Sequence, residues 1–264
     1  MPLTINYFKT HYKTYKFGDN MNLREWKLIY NKIMDDFGFD REGDLKSALL
    51  LKDLIEKLRN NISQEKINNI IRDKNIYVIG AGPSIKKHID KLKTLINRDR
   101  DIIISADGAT KALLEEDIVP DIIVSDLDGD MESIIKSNRR GSIVVVHAHG
   151  DNIEAIKKYL PRLRNIMGSF QTPNSIPGII NYGGFTDGDR CCFLAEYHGA
   201  KRIILCGMDF GEYITKYSRP NLKESVEKGD DIKIKKLRYA KELIEYLKEH
   251  GECEIISIED MGER

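Results

Sequence analysis

From residue 76 onward the chain repeats one unit: a short β-branched or aliphatic run, a loop of glycine, aspartate and small residues, then a stretch with helical spacing of its apolar residues. The runs are residues 76–79, 102–106, 122–125, 142–146, 164–167, 202–206 and 254–258, and helical patterns separate most of them, notably over 151–159, 190–198 and 232–249. Short apolar strands alternating with helices dictate right-handed crossovers and a doubly wound, mostly parallel α/β sheet. In such sheets ligands bind beyond the carboxyl ends of the strands. The unusual polar strings of this chain fall at those ends: Gly80-Ala81-Gly82-Pro83-Ser84, Asp107-Gly108-Ala109-Thr110, Asp126-Leu127-Asp128-Gly129-Asp130, His147-Ala148-His149-Gly150-Asp151-Asn152 and Gly207-Met208-Asp209. Their coincidence is a stronger sign of a catalytic edge than any one motif.

Before residue 75 no strand pattern occurs. Asn22 with Glu25 has the form of a capping box ahead of Trp26, Ile29, Tyr30, Ile33, Met34 and Phe37 at helical spacing; a second helix is expected from near Asp44, and a third capped by Ser63. We therefore divide the chain into a helical region, 1–73, and an α/β catalytic domain, 74–264. The helical region must pack on the main domain or on a second copy, so a homodimer is one expectation.

Composition narrows the partners. Lys+Arg and Asp+Glu are both 42, a net charge of zero, so the chain lacks the basic field that accompanies nucleic-acid binding, and small-molecule substrates are expected instead. No apolar run approaches the ~20 residues needed to span a bilayer, so a cytoplasmic protein without a membrane partner is expected. Cys191, Cys192, Cys206 and Cys253 form no C-x-x-C, and read as buried reduced thiols.

The acidic string at 122–130 sets the chemistry. At an effective dielectric of ~20, two charges ~5 Å apart repel by roughly 3 kcal/mol, a penalty that a divalent cation removes. If the chain stays extended, Asp126 and Asp128 share a face and converge on hydrated Mg²⁺, with Asp130 a looser member. Asp187, in Gly183-Gly184-Phe185-Thr186-Asp187-Gly188-Asp189-Arg190, is the third expected ligand, although Thr186 or Asp187 is also suited to cap the helix that follows. Strand, glycine turn and helix at 76–92 point backbone amides at phosphate, yet G-x-G-x-x-G fails, because Ile85 stands at the third glycine and Pro83 lacks an N–H. His147 and His149 would share one face of a continuing strand, as substrate contacts or structural groups.

Asp126-Leu127-Asp128-Gly129 is similar to the nucleophile loop of haloacid-dehalogenase-type phosphatases, but Asp130 stands where that family has Thr or Val, and two strand units precede the loop. D-x-D is also a metal motif of nucleotide-sugar transferases. Taken in order, Ala106-Asp107-Gly108-Ala109, Pro120-Asp121, Ser125-Asp126-Leu127-Asp128 and Phe185-Thr186-Asp187 resemble the motifs of thiamine pyrophosphokinases. The helical N-terminus, the Gly80 to Ser84 turn and the His147 to Asn152 string resemble, over essentially the whole chain, the archaeal 6-hydroxymethyl-7,8-dihydropterin pyrophosphokinase family. That resemblance implies Mg²⁺-dependent transfer of diphosphate from ATP to the pterin hydroxymethyl group, releasing AMP, in the synthesis of a folate-like cofactor such as tetrahydromethanopterin. It implies Asp126, Asp128 and Asp187 as catalytic metal ligands, and Gly80, Gly82, Pro83, Ser84, Asp107, Gly108, Ala109 and Thr186 around the nucleotide. Arg190 and Lys111 are candidate phosphate cations, and His147, His149, Asn152, Asn181 and Asp209 candidate pterin contacts. A D-x-D glycosyltransferase, a thiamine pyrophosphokinase and a non-catalytic nucleotide sensor remain the alternatives.

Overall fold

The computed structural model describes residues 23–262, so the Asn22 cap and the aromatic residues before it lie outside the described residues. Seven strands form one parallel sheet: β1 (Asn75–Ile79), β2 (Asp101–Ala106), β3 (Ile122–Ser125), β4 (Ile143–Ala148), β5 (Ile166–Phe170), β6 (Arg202–Cys206) and β9 (Glu254–Ser257). The order across it is β5-β4-β3-β2-β1-β6-β9. An antiparallel hairpin, β7 (Tyr213–Thr215) with β8 (Val226–Lys228), interrupts the pattern between β6 and the last long helix. The helices are α1 (Leu23–Phe37), α2 (Arg41–Leu58), α3 (Gln64–Ile71), α4 (Ile85–Leu95), α5 (Ala109–Glu115), α6 (Met131–Arg139), α7 (Ile153–Tyr159), α8 (Asp187–Tyr197) and α9 (Asp231–His250).

Strand periodicity divides the core. Ile76, Val78, Ile104, Ile122, Val124 and Val145 face one side, buried beneath α1, α3, α8 and α9. Their neighbours Tyr77, Ile79, Ile103, Ile123, Val144 and Val146 face the other, under α2, α4, α5, α6 and α7. Each large aliphatic side chain so buried contributes roughly 1.5–3 kcal/mol. The early helices thus share both cores with the sheet. Their sharp connection comes from Gly38, whose φ of +65° ends α1 with Phe39 N–H donating to Met34 O, after which the Asp40 side chain caps α2. The second helix therefore starts at Arg41, ahead of the expected start near Asp44, and Asp44 is buried inside it. β4 and β5 also run further than expected, because the polar residues His147 and Ser169 are buried and bond to each other across the two strands (3.0 Å).

β1 through β5 proceed in one direction, and the chain then returns to place β6 on the other side of β1. The carboxyl ends of β1 and β6 are level, Ile79 beside Cys206. Here the order reverses, which makes the crevice of the fold. The two loops leaving it lock together: Gly80 N–H donates to Cys206 O and Gly82 N–H to Gly207 O, both at 2.8 Å. Gly207 has φ +63°, and a Cβ on it would lie 2.3 Å from Gly80 O. Gly207→Ala is expected to lower stability by roughly 1–3 kcal/mol through this backbone strain, measured as the shift of the urea midpoint.

Candidate active site

Six strand ends line one cleft of about 230 Å³. At the end of β2, Asp107 adopts φ +38°, and Ser125 Oγ donates to its Oδ1 at 2.5 Å. The same hydroxyl accepts from Leu127 N–H (2.8 Å), so one serine ties the β2 and β3 loops together. Leu127 is left-handed, φ +68°, and buries its side chain while Asp126 and Asp128 line the cleft. The two aspartates therefore converge by a turn and not on an extended strand. Gly129 lets the loop pass Asp107, since a Cβ there would fall 1.8 Å from Asp107 Oδ2. Asp107, Asp126 and Asp128 each place a carboxylate oxygen within 4.8 Å of the others.

This triad differs from the expected one in its third member. Asp187 lines the same cleft from the first turn of α8, but its Oδ1 is held by Arg190 Nη1 at 3.1 Å. Thr186 is the N-cap, in a capping box with Asp189, and also faces the cleft. Asp130 leaves the cluster: it caps α6 by accepting from Ser133 N–H (2.9 Å) and pairs with Lys111 Nζ (3.2 Å). Lys111 is thereby engaged away from the cleft, whereas Arg190 lines it.

The remaining strand ends hold the triad in place. His149 Nε2 lies 3.0 Å from Asp126 Oδ2. Asn152 is buried and donates to the carbonyls of Asp126 (2.8 Å) and His147 (2.6 Å) while accepting from His149 N–H and Ser47 Oγ. It clamps the β3 and β4 loops and does not line the cleft. His147 is likewise buried, against Ser169 and Gln171, and is not a cleft residue. Asn181 donates to the carbonyls of Gln171 and Thr172, bracing the chain after β5. Gly80, Gly82, Pro83, Gly108 and Asp209 reach the cleft, but Ala109 is core, under α4 and α5. The amides of Gly80, Gly82 and Ser84 donate to Cys206 O, Gly207 O and Asp209 Oδ2, so these three are not free for phosphate. The glycines are required instead by the crossing loop, because a Cβ on Gly82 would lie 2.1 Å from Asp209 Oδ2.

Positive charge comes from a place the sequence did not mark. Lys233 and Lys236, one turn apart near the start of α9, line the cleft. Lys236 Nζ lies 5.4 Å above the Phe39 ring and 5.8 Å above Phe185, and burial lowers its pKa. The i,i+3 spacing was visible, but nothing distinguished this pair among 42 basic residues.

Electrostatically the triad is frustrated. Burial, then the charges of Asp126 and Asp128, push the Asp107 carboxyl up to about 8; burial and Asp126 push Asp128 up to about 7, although Asp128 is the most exposed of the three. Burial also works to raise Asp126, but the hydrogen bond and charge of His149 hold it well below the usual carboxylate range. Asp187 is raised well above that range by burial and by Asp126, against the opposing Arg190. Asp126 Oδ1 is buried with no hydrogen-bond partner. An orphaned carboxylate oxygen beside two carboxyls that resist ionisation is a donor set that could hold a cation, and among the described residues these three are placed to do so.

Acidic strand ends thus face two lysines and an arginine across the switch-point cleft of a doubly wound α/β fold. Residues 52–215 match the family described as 6-hydroxymethylpterin diphosphokinase MptE-like. The chain is 59% identical over 242 residues to the 6-hydroxymethyl-7,8-dihydropterin pyrophosphokinase of Methanocaldococcus jannaschii, covering 89% of this chain and 100% of the relative. It is 48% identical over 237 residues to the protein of that name from Methanothermobacter thermautotrophicus, covering 89% and 99%, and 40% identical over 236 residues to that from Pyrococcus furiosus, covering 89% and 98%. A solved glycosyltransferase of Magnetospirillum magneticum is 14% identical with a TM-score of 0.47, over 73% of this chain and 35% of that one, too slight a likeness to bear on chemistry. The chain belongs to the 6-hydroxymethylpterin diphosphokinase MptE-like family. No helix among the described residues is long and apolar enough to cross a membrane.

A carboxyl held above its ordinary range binds its proton more tightly in the folded chain, so its contribution to stability is present at low pH and is lost as pH rises through the folded value. With Asp128 raised to about 7 and Asp107 to about 8, the thermal midpoint in chelator should fall as pH rises from about 5 to about 8 and level off above that. Asp128→Asn should flatten that slope and raise stability at pH 8.5 by about 1 kcal/mol, a value kept small because solvent screens Asp128. Scanning calorimetry of the two proteins in EDTA checks both statements.

Proposed function

We propose that this protein transfers the terminal diphosphate of ATP to the hydroxymethyl oxygen of 6-hydroxymethyl-7,8-dihydropterin, releasing AMP, with Mg²⁺ at the strand-end triad. The observation that carries this reading is the convergence of Asp107, Asp126 and Asp128, with the orphaned Asp126 Oδ1, in the cleft of a diphosphokinase-family chain. The shared name of the three relatives favours it over nucleotide-sugar or thiamine transfer. Asp107, Asp126 and Asp128 would ligate the ion, and His149 orients Asp126 through its Nε2. A bound Mg²⁺ supplies neutralisation of the triphosphate and of the charge that develops on the oxygen bridging the α- and β-phosphorus.

The protein's own groups do the remainder. Lys233 and Lys236 meet the phosphates and hold them in line with the acceptor. The hydroxymethyl oxygen forms its bond to the β-phosphorus as the bond from that phosphorus to the bridging oxygen breaks, its electron pair leaving with AMP. The hydroxyl proton passes to an ionised carboxylate of the cleft; Asp187, which lines the cleft with its Oδ1 paired to Arg190 Nη1, is the candidate acceptor through its other oxygen. Cytoplasmic action on small molecules, without nucleic acid or membrane, fits these substrates.

With Mg²⁺, ATP and the reduced hydroxymethylpterin, AMP should accumulate in step with pterin diphosphate, as read by anion-exchange chromatography; ADP as the nucleotide product would overturn the reading. Asp126→Asn should lower kcat by roughly a thousandfold or more, a loss typical of a group that acts on developing charge, with its circular dichroism unchanged. Because the two raised carboxyls must lose protons to ligate a cation, the thermal shift produced by Mg²⁺ should grow from pH 6.5 to pH 8.5. A shift independent of pH would remove Asp107 and Asp128 from the ion.

A further inference from the structure

The cleft follows the carboxyl edge of the sheet from β5 to β6. At ~4.8 Å between neighbouring strands, six strand ends make a trough of roughly 24 Å. The triad, on the β2 and β3 loops, lies beneath its middle. The two ends differ in chemistry. Toward β1 and β6 the lining includes Ala81, Pro83, Met208, Phe210, Tyr213 and Leu237, and the carboxylate on the β6 loop, Asp209, accepts from Ser84 N–H. Toward β4 and β5 it carries the carboxylates of Asp40 and Asp151 beside the rings of Phe39 and Phe185.

Like charge keeps a polyphosphate and its nucleotide from the second end. The same groups suit a neutral, flat heterocycle with N–H donors along its edge. Phe39 is held rigidly at this end: it stacks on Phe37 with centroids 5.2 Å apart and an interplanar angle of 17°, and its centroid lies 6.4 Å from that of Phe185. Arg190 adds an independent sign. Its Nη2 donates to Gln171 Oε1 at this end (3.0 Å), the side chain is 7% exposed, and its Nε has no hydrogen-bond partner. A ring carbonyl would complete that donor while adjacent ring N–H groups meet a carboxylate. Asp44 is not the carboxylate in question, since Tyr30 OH, Gln171 Nε2 and Gly150 N–H already occupy it. Instead it fixes α2 against the β4 and β5 loops.

We propose that the α1–α2 junction forms the acceptor subsite. Phe39 supplies an apolar wall, Asp40 and Asp151 accept from the heterocycle edge and Arg190 donates to its carbonyl, while the nucleotide base lies at the β1–β6 end. Lys236, over both phenylalanine rings, marks the boundary between the acceptor and the phosphates. This inference rests on the diphosphotransfer reading for the identity of the acceptor, and on the two chemically different ends for its place.

The test is a crossed pair of substitutions in the full chain. Phe39→Leu and Asp151→Asn should each raise KM for the reduced hydroxymethylpterin about tenfold, a change of roughly 1.4 kcal/mol, and leave KM for ATP within about twofold. Tyr213→Ala, on a side chain 59% exposed at the other end, should do the reverse. Quenching of pterin fluorescence without nucleotide should show the same loss of affinity in the first two variants. Unchanged pterin affinity in Asp151→Asn and in folded Phe39→Leu, or a loss confined to ATP, would overturn the subsite. A wild-type protein that binds the pterin with Phe39-dependent affinity yet forms no AMP would remove the diphosphotransfer reading and sustain the subsite.

Discussion

Mutual repulsion of Asp107, Asp126 and Asp128 is the constraint around which the catalytic edge is arranged. Three carboxylate oxygens within 4.8 Å are unfavourable without a cation, and the surrounding chain prevents them from moving apart. Ser125 bonds both loops, Gly129 lets one pass beneath the other, and Asn152 fastens the β3 loop to the β4 loop. None of these touches the cleft through a charge, yet each keeps the three carboxylates from moving apart. The left-handed backbone at Asp107 and Leu127 belongs to the same arrangement, local conformational cost held by neighbouring packing.

The early helices take part in this architecture. Asp44, buried in α2, receives hydrogen bonds from Tyr30, Gln171 and Gly150, so α1, the chain after β5 and the β4 loop meet at one carboxylate. Trp26 Nε1–H donates to Gln171 O at 2.5 Å, bringing α1 to the same corner. A helical segment that sequence pattern sets apart therefore builds one wall of the cleft. The aromatic residues at its turn pack on Phe185 and Tyr239 from the far end of the chain.

Much of the architecture was legible because it is local. Alternation of apolar residues gave the seven sheet strands, with end errors where buried polar residues at 147 and 169 looked like loop. Asp126 and Asp128 were legible by spacing at a strand end. Asp107, expected near nucleotide, places an oxygen within the group formed with Asp126 and Asp128, while Asp187, expected in that group, lines the same cleft paired to Arg190. His147 and Ala109 looked available and are buried. Lys233 and Lys236 were illegible, because a cation on a long exposed-looking helix carries no mark of the surface it will face.

The sequence by itself determined the layer pattern, the edge on which chemistry would sit and the demand of its paired aspartates for positive charge, since periodicity and like-charge repulsion act over a few residues. Only the tertiary structure decided which distant groups meet there. Strand order sets β2 beside β3 and β1 beside β6, and the left-handed turns at Asp107 and Leu127 bring the triad's oxygens together. Spacing along a chain is blind to adjacency between strands, so the third carboxylate, the facing lysines and the aromatic corner emerge only when the sheet has closed around them.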